Sequence, residues 1–236
     1  MSRGRSASYI LVAITFVVLL VGASTPARAA EYPFSDDFEG GLGNWSADSP
    51  WDATTAYYHS AARSATDSPS TLYGSWLDAS LTLASSVDLT SATRPVLSFW
   101  HRYQIEDGYD FGYVEISTDG GTSWGLPVAT FTGAVGDWVR EQIDLSAYTG
   151  SADVRVRFRL ESDGTVQQDG WYVDDVVIAD GPAAVALDTP VTVTPNSVEL
   201  TWDESGEPDF SSYRIYRSTA SGFDCNDAVL VAEIDD

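Results

Sequence analysis

The stretch "VRVRFRL" at residues 154–160 decides the fold. Val154, Val156, Phe158 and Leu160 fall in one phase, and Arg155, Arg157 and Arg159 in the other. Side chains of a strand alternate between its two faces, so the pattern describes a strand with one dry face and one wet face. A helix would instead repeat its apolar residues every three or four positions. The same period of two continues outward from this stretch. In "YVEIS" (113–117), Val114 and Ile116 alternate with Tyr113, Glu115 and Ser117. "VLSFWHRY" (96–103) sets Leu97, Phe99, His101 and Tyr103 against Trp100. Strict alternation through "WYVDDVVI" (171–178) places Asp174 in phase with Val176 and Ile178, and Asp175 with Val173 and Val177. Short alternating stretches parted by Gly, Asp, Ser and Pro clusters predict an all-β chain, with a jelly-roll β-sandwich over residues 30–180.

The chain has 236 residues, of which 44% are hydrophobic and 12% aromatic, enough for a packed core. Its first 29 residues read differently. Arg3 and Arg5 lead into an apolar run at residues 10–22, and Ala27-Arg28-Ala29 offers small residues where a signal peptidase cuts. The run is shorter than the roughly 20 residues that span a bilayer. Residues 1–29 are therefore expected to be a signal peptide, the product to be secreted or at the cell surface, and no membrane insertion to follow cleavage. The formal charge is −23, from 35 acidic and 12 basic residues, and every basic residue is arginine. Residues 1–29 carry three arginines and no acid, so cleavage leaves −23 − 3 = −26. Such a surface repels phosphate backbones and anionic lipid, which excludes nucleic acid as a partner class. The single cysteine, Cys225, cannot staple its own fold.

Residues 181–188, within the small, proline-flanked "GPAAVALDTP", read as a linker. Alternation resumes in "NSVELTW", "SSYRIYRS" and "AVLVAEI". Residues 189–236 resemble the start of a fibronectin type III domain, with Trp202 as its second-strand tryptophan and "YRIYRS" as its third strand. That immunoglobulin-like sandwich needs seven strands over about 100 residues. The resemblance therefore implies a partial domain, and a chain that is a fragment of a longer protein or a truncated reading frame. A partner for Cys225 could then lie in the missing part.

Six landmarks occur in order: "DFEGG…W", "YHSAARSATDSP…Y", "LSFWHRY", "GYDFGYVEISTDGGTSW", "RFRLESD" and "DGWYVDDVVI". Together they resemble the MAM-like jelly roll found beside immune inhibitor A-type and subtilisin-type secreted bacterial peptidases, and are similar to the cleaved adhesin domains of gingipains. The resemblance implies a noncatalytic accessory module. It also implies neighbouring first and last strands, so that Asp37 and Glu39 would meet Asp174 around a structural calcium, with Asp175 as a possible contributor. Calcium takes six to eight hard oxygens, and a carboxylate turned toward a core needs a cation or donors to stay charged. The alternative is that these acids cap turns or accept backbone amides.

Other candidates follow from the residues themselves. Asp107, Asp110, Asp163 and Asp169 sit at loop ends and could form a second acidic cluster, although aspartate also serves turns there. "STDGGTSW" (117–124) resembles an Asp-box, in which Asp119 bonds amides ahead of it, the glycines supply positive φ and Trp124 covers the hairpin. Trp45, Trp51 and Trp76 lie in loop-rich stretches and are candidate ligand-binding aromatics; the competing reading is that tryptophans fill the core. No H-E-x-x-H, G-x-S-x-G or P-loop occurs. His101 shares a face with Phe99 and reads as packed, and His59 has no acid beside it in sequence. The expected function is an exported, noncatalytic adhesion or accessory module for an extracellular protein or carbohydrate ligand. The alternatives are a carbohydrate-binding module, or the N-terminal fragment of a secreted hydrolase such as a peptidase.

Overall fold

The computed structural model describes residues 30–181, 192–193, 198–200, 212–217 and 229–235. Eleven strands build the first part: β1 (Phe34–Asp36), β2 (Trp45–Ala47), β3 (Asp52–Thr54), β4 (Ser64–Thr66), β5 (Asp78–Leu83), β6 (Pro95–Gln104), β7 (Phe111–Ser117), β8 (Ala129–Phe131), β9 (Ala134–Asp144), β10 (Arg155–Glu161) and β11 (Gly170–Asp180). They form two antiparallel sheets. One has the order β2-β5-β10-β7-β8; the other runs β3-β4-β11-β6-β9, with β1 also on β11.

β10 shows why this packs. Val154, Val156, Phe158 and Leu160 are fully buried against the facing sheet. Phe158 meets Phe99 of β6 at 5.0 Å and Trp171 of β11 at 5.6 Å between ring centroids. Each such side chain contributes roughly 1.5–3 kcal/mol by leaving water. The approach is close enough at β7 that a Cβ on Gly112 would stand 2.9 Å from the Trp171 ring. On the wet face, Arg157 sits directly across from Glu115 and bonds it at 2.6 Å, while the Trp124 ring lies 4.3 Å from the guanidinium. Trp124 thus covers the strand beside it.

β11 departs from strict alternation. Trp171 and Val173 point into the core, and so do Val176 and Ile178. One extra residue between Asp174 and Val177 makes this possible: Asp174 pairs with Trp100 and Val177 with Ser98. The bulge places Asp175 at φ 47°. Asp174 therefore points to the side of Trp100, away from Val176 and Ile178, which corrects the phase expected for both aspartates. Along its other edge β11 changes partner at the same place, pairing with β4 through Tyr172 and Val173 and with β1 through Val176, Val177 and Ile178.

Beyond the sandwich, β12 (Thr192–Val193) pairs with β13 (Val198–Glu199), and β14 (Ser212–Arg217) with β15 (Val229–Asp235). The expected signal peptide at residues 1–29, most of the linker, Trp202 and Cys225 lie outside the described residues.

Candidate functional site

Three carboxylates meet at one end of the sandwich. Oxygens of Glu106, Asp110 and Asp163 all lie within 4.8 Å of one another. Strand register brings them there: Phe111 of β7 faces Glu161 of β10, so the residues just past both strand ends share a rim. Glu106 follows β6, and its carbonyl accepts the amides of Tyr109 and Asp110, turning the chain into β7.

The polar accounting at this rim is uneven. Asp110 is fully buried. Its Oδ1 accepts the Asp163 amide at 2.6 Å and its Oδ2 the Tyr73 hydroxyl at 2.7 Å. That hydroxyl in turn accepts the Glu106 amide at 3.0 Å. Asp163 Oδ1 takes the Thr165 amide at 2.8 Å. Glu106 Oε2 is buried and has no donor among the described residues. Burial raises the Glu106 pKa, and the charges of Asp163 and Asp110 raise it further. Among the described residues no arginine or histidine pairs with any of the three. An all-oxygen set of this kind fits a hard divalent cation, which would supply the missing positive charge.

The acids expected around calcium are arranged differently. β1 does lie beside β11, and Asp37 and Asp175 line one shallow depression of about 370 Å³. Asp174, however, is buried beneath the 59–60 segment. Its Oδ2 accepts the amides of His59 at 2.7 Å and Ser60 at 3.2 Å, and its Oδ1 that of Asp175 at 2.8 Å. Burial nonetheless pushes its pKa up to about 6. Glu39 accepts the Arg63 amide at 2.8 Å, and Asp37 that of Glu39 at 3.1 Å. Backbone amides thus provide compensation that a cation was expected to provide. Asp175 bonds His59 Nδ1 and the Ser60 hydroxyl, both at 2.6 Å. His59 also stacks on Trp100 at 3.8 Å. It therefore has an acid beside it in space, 116 positions away in sequence.

Residues 72–196, just over half the chain, match the family described as immune inhibitor A-like, MAM domain. The chain belongs to this family. Bacillopeptidase F of Bacillus subtilis (strain 168) is 40% identical over 84 residues, which are 36% of this chain and 6% of that protein. The chain thus spans a small part of that relative. Among solved structures, the K1 cleaved adhesin domain of Lys-gingipain from Porphyromonas gingivalis W83 is similar with a TM-score of 0.47 at 18% identity, over 63% of this chain and 98% of that one. A family 16 carbohydrate binding module is similar with a TM-score of 0.42 at 16% identity, over 61% and 95%.

The remaining candidates in this MAM domain divide sharply. Of the expected second cluster, Asp110 and Asp163 are together. Asp107 instead lies against Gly133, and Asp169 accepts the Tyr172 hydroxyl at 3.2 Å. Glu106 completes the set and went unread, because "IEDGYD" looks like turn chemistry. Trp45 and Trp51 are core residues, correcting their reading as binding aromatics. Trp45 packs on Phe38 and Phe158 and donates to Asp36 Oδ2 at 2.9 Å. Trp51 packs on Trp171 and donates to the Ala79 carbonyl at 3.2 Å. Trp76 is 79% exposed, with its ring laid over Gly164. His101 is buried, accepts the Trp171 indole N–H at 3.2 Å, and is held neutral by a pKa lowered to about 4 through desolvation.

Proposed function

We propose that this MAM domain is an exported, noncatalytic binding module of a larger protein, stabilised by a divalent cation at Glu106, Asp110 and Asp163. The observation that carries the cation is the buried Glu106 Oε2, which has no donor and faces two further carboxylates. Leaving such a group unpaired is costly, and a hard cation relieves it. Calcium suits the donor set best, since carboxylates and carbonyls around a loop rim tolerate its irregular coordination. Export is supported by the apolar run at residues 10–22 and the small residues around Arg28. Among the described residues no helix is long and apolar enough to cross a membrane.

A noncatalytic role is supported by how the two histidines are used. His101 is a core acceptor. His59 bonds Asp175, but the adjacent Ser60 hydroxyl donates to that same aspartate rather than to the imidazole, so the three do not form a nucleophile–base–acid relay. The ligand is an extracellular protein or carbohydrate, and Trp76 favours the second. A largely exposed indole lying over Gly164 is a stacking platform for a sugar ring.

Thermal melting of the full chain in calcium and then in chelator tests the cation. The expected result is a lower midpoint in chelator, with the difference abolished in Glu106→Gln. Identical wild-type midpoints in the two buffers would overturn the cation.

A further inference from the structure

A second concavity lies on the outer face of the six-stranded sheet. Its volume is about 260 Å³, and Arg102, Gln104, Asp169 and Tyr172 contribute to its lining. The register of β6 and β11 assembles it. Arg102 stands directly across from Tyr172, and Gln104 across from Gly170, whose neighbour is Asp169.

Arg102 is held but not spent. Its guanidinium lies 3.9 Å from the Tyr57 ring and 6.0 Å from the Tyr172 ring, and the two tyrosines meet edge to face at 5.2 Å. Cation–π stacking fixes the plane of the guanidinium. Yet among the described residues none of its N–H groups has an acceptor and no carboxylate pairs with it. Asp169 is only partly used. It takes one hydrogen bond, from the Tyr172 hydroxyl at 3.2 Å, and makes no ion pair with Arg102. The Gln104 amide is exposed and also lacks an intramolecular partner among the described residues.

A pocket with a cation, a carboxylate and an amide, none neutralising another, restricts its ligand. An anion would face Asp169 on a chain of formal charge −23. A cation, metal ions included, would face Arg102. A purely apolar molecule would strip water from three polar groups and return nothing to them. A neutral molecule with several hydroxyls satisfies all three: hydroxyls accept from Arg102 and the Gln104 N–H₂ and donate to Asp169 and the Gln104 carbonyl. The volume is below the roughly 300–1,000 Å³ of drug-sized sites, which suits one small ring.

We infer that Arg102, held in place by Tyr57 and Tyr172, forms with Gln104 and Asp169 a binding site for a neutral sugar residue of a glycan chain. The inference rests on the binding-module reading and names its ligand class and place. The next position on the same strand face is Trp100, about 6.7 Å along β6. It carries the stacked His59, whose ring centroid lies 6.1 Å from that of Trp138. The aromatic surface therefore continues past the pocket, which favours a polymer over a free monosaccharide.

Affinity electrophoresis of the full chain through gels containing soluble xylan, galactan or mixed-linkage β-glucan tests this, with polygalacturonate as the charged control. At least one neutral polymer should retard the wild type. Retardation should weaken tenfold or more in Arg102→Ala and in Asp169→Ala, each shown to be folded by its melting curve, and persist in Leu126→Ala, an exposed side chain outside the pocket. Wild-type binding in both pocket variants would reject this site, and loss in Trp76→Ala would place the glycan at that indole instead. Stronger retardation by polygalacturonate than by every neutral polymer would reject the ligand class. No retardation by any polymer would reject the inference, while the calcium melt independently judges the module.

Discussion

Asp119 and Glu106 both sit in loops at strand ends, and the fold treats them in opposite ways. Asp119 receives the Ser123 amide at 2.9 Å, the Ser117 hydroxyl at 2.7 Å and the Ser123 hydroxyl at 2.5 Å. Those donors pull its pKa down to about 2. Glu106 has a buried oxygen with no donor, two acids as neighbours and a raised pKa. The acid in the conspicuous Gly-Gly turn is thus internally satisfied, and the inconspicuous one is the one left wanting a charge. What separates a structural carboxylate from a candidate ligand is the count of donors around it, and not the motif it sits in.

That contrast can be broken by experiment, beginning with the largest effect. Asp110→Ala strands the Asp163 amide and leaves the Tyr73 hydroxyl only the Val166 carbonyl, at 3.3 Å, to donate to, and should cost about 2–4 kcal/mol, read from denaturant unfolding. It should also abolish the calcium dependence. Calcium at about 100 times its dissociation constant should stabilise the wild type by about 2.7 kcal/mol over chelator. Asp119→Ala should lower the melting midpoint less than Asp110→Ala and leave the calcium shift intact. A calcium shift lost in the Asp119 variant instead would erase the distinction between the two acids.

The acid side of the contrast has a sign. Asp119 has a depressed folded pKa of about 2, so its contribution is present above its unfolded value near 3.8 and is lost as pH falls toward 2. Asp67 is the reverse case. It is fully buried, and desolvation raises its pKa to about 7 despite bonds from the Trp171 amide and the Ser68 hydroxyl. Gly170 permits that approach, since at φ 86° a Cβ there would collide with Ser68 Oγ and the Asp67 carboxylate. Between its unfolded value of 3.8 and about 7 the folded chain holds a proton at Asp67 that the unfolded chain lacks, so this group makes stability rise as pH falls. His101 acts oppositely between 6.5 and about 4. Asp67→Asn should therefore raise the midpoint at pH 8 more than at pH 5, and equal gains at both would contradict a buried proton site. The smallest effect belongs to Trp76→Ala, within about 0.5 kcal/mol of wild type in denaturant unfolding, as for an exposed side chain.

Most of the sandwich was legible because local alternation maps directly onto burial. Val154 through Leu160, Leu97, Phe99 and His101 all lie where period two puts them. The same rule failed at Asp174, since a bulge inserts one residue and inverts the phase while leaving the apolar pattern plausible on both sides. Trp45 and Trp51 were misread because strands of three residues, β2 and β3, are too short to show a period. Pairings across the fold were the least visible. His59 with Asp175, and Tyr73 with Asp110, depend on which loop ends the topology brings together, and no local pattern encodes that.

The partner exchange along β11 has a consequence for the order in which the molecule can be made. Phe34 pairs with Ile178 and Asp36 with Val176, so among the described residues the sandwich's N-terminal strand meets its strand partner in the last strand of the sandwich. Loop closure over such a span comes late, after local hairpins have formed. Until residues 170–178 leave the ribosome, β1 has nothing to zip onto. The β1 edge of the sheet therefore closes only after nearly all of the sandwich has been made.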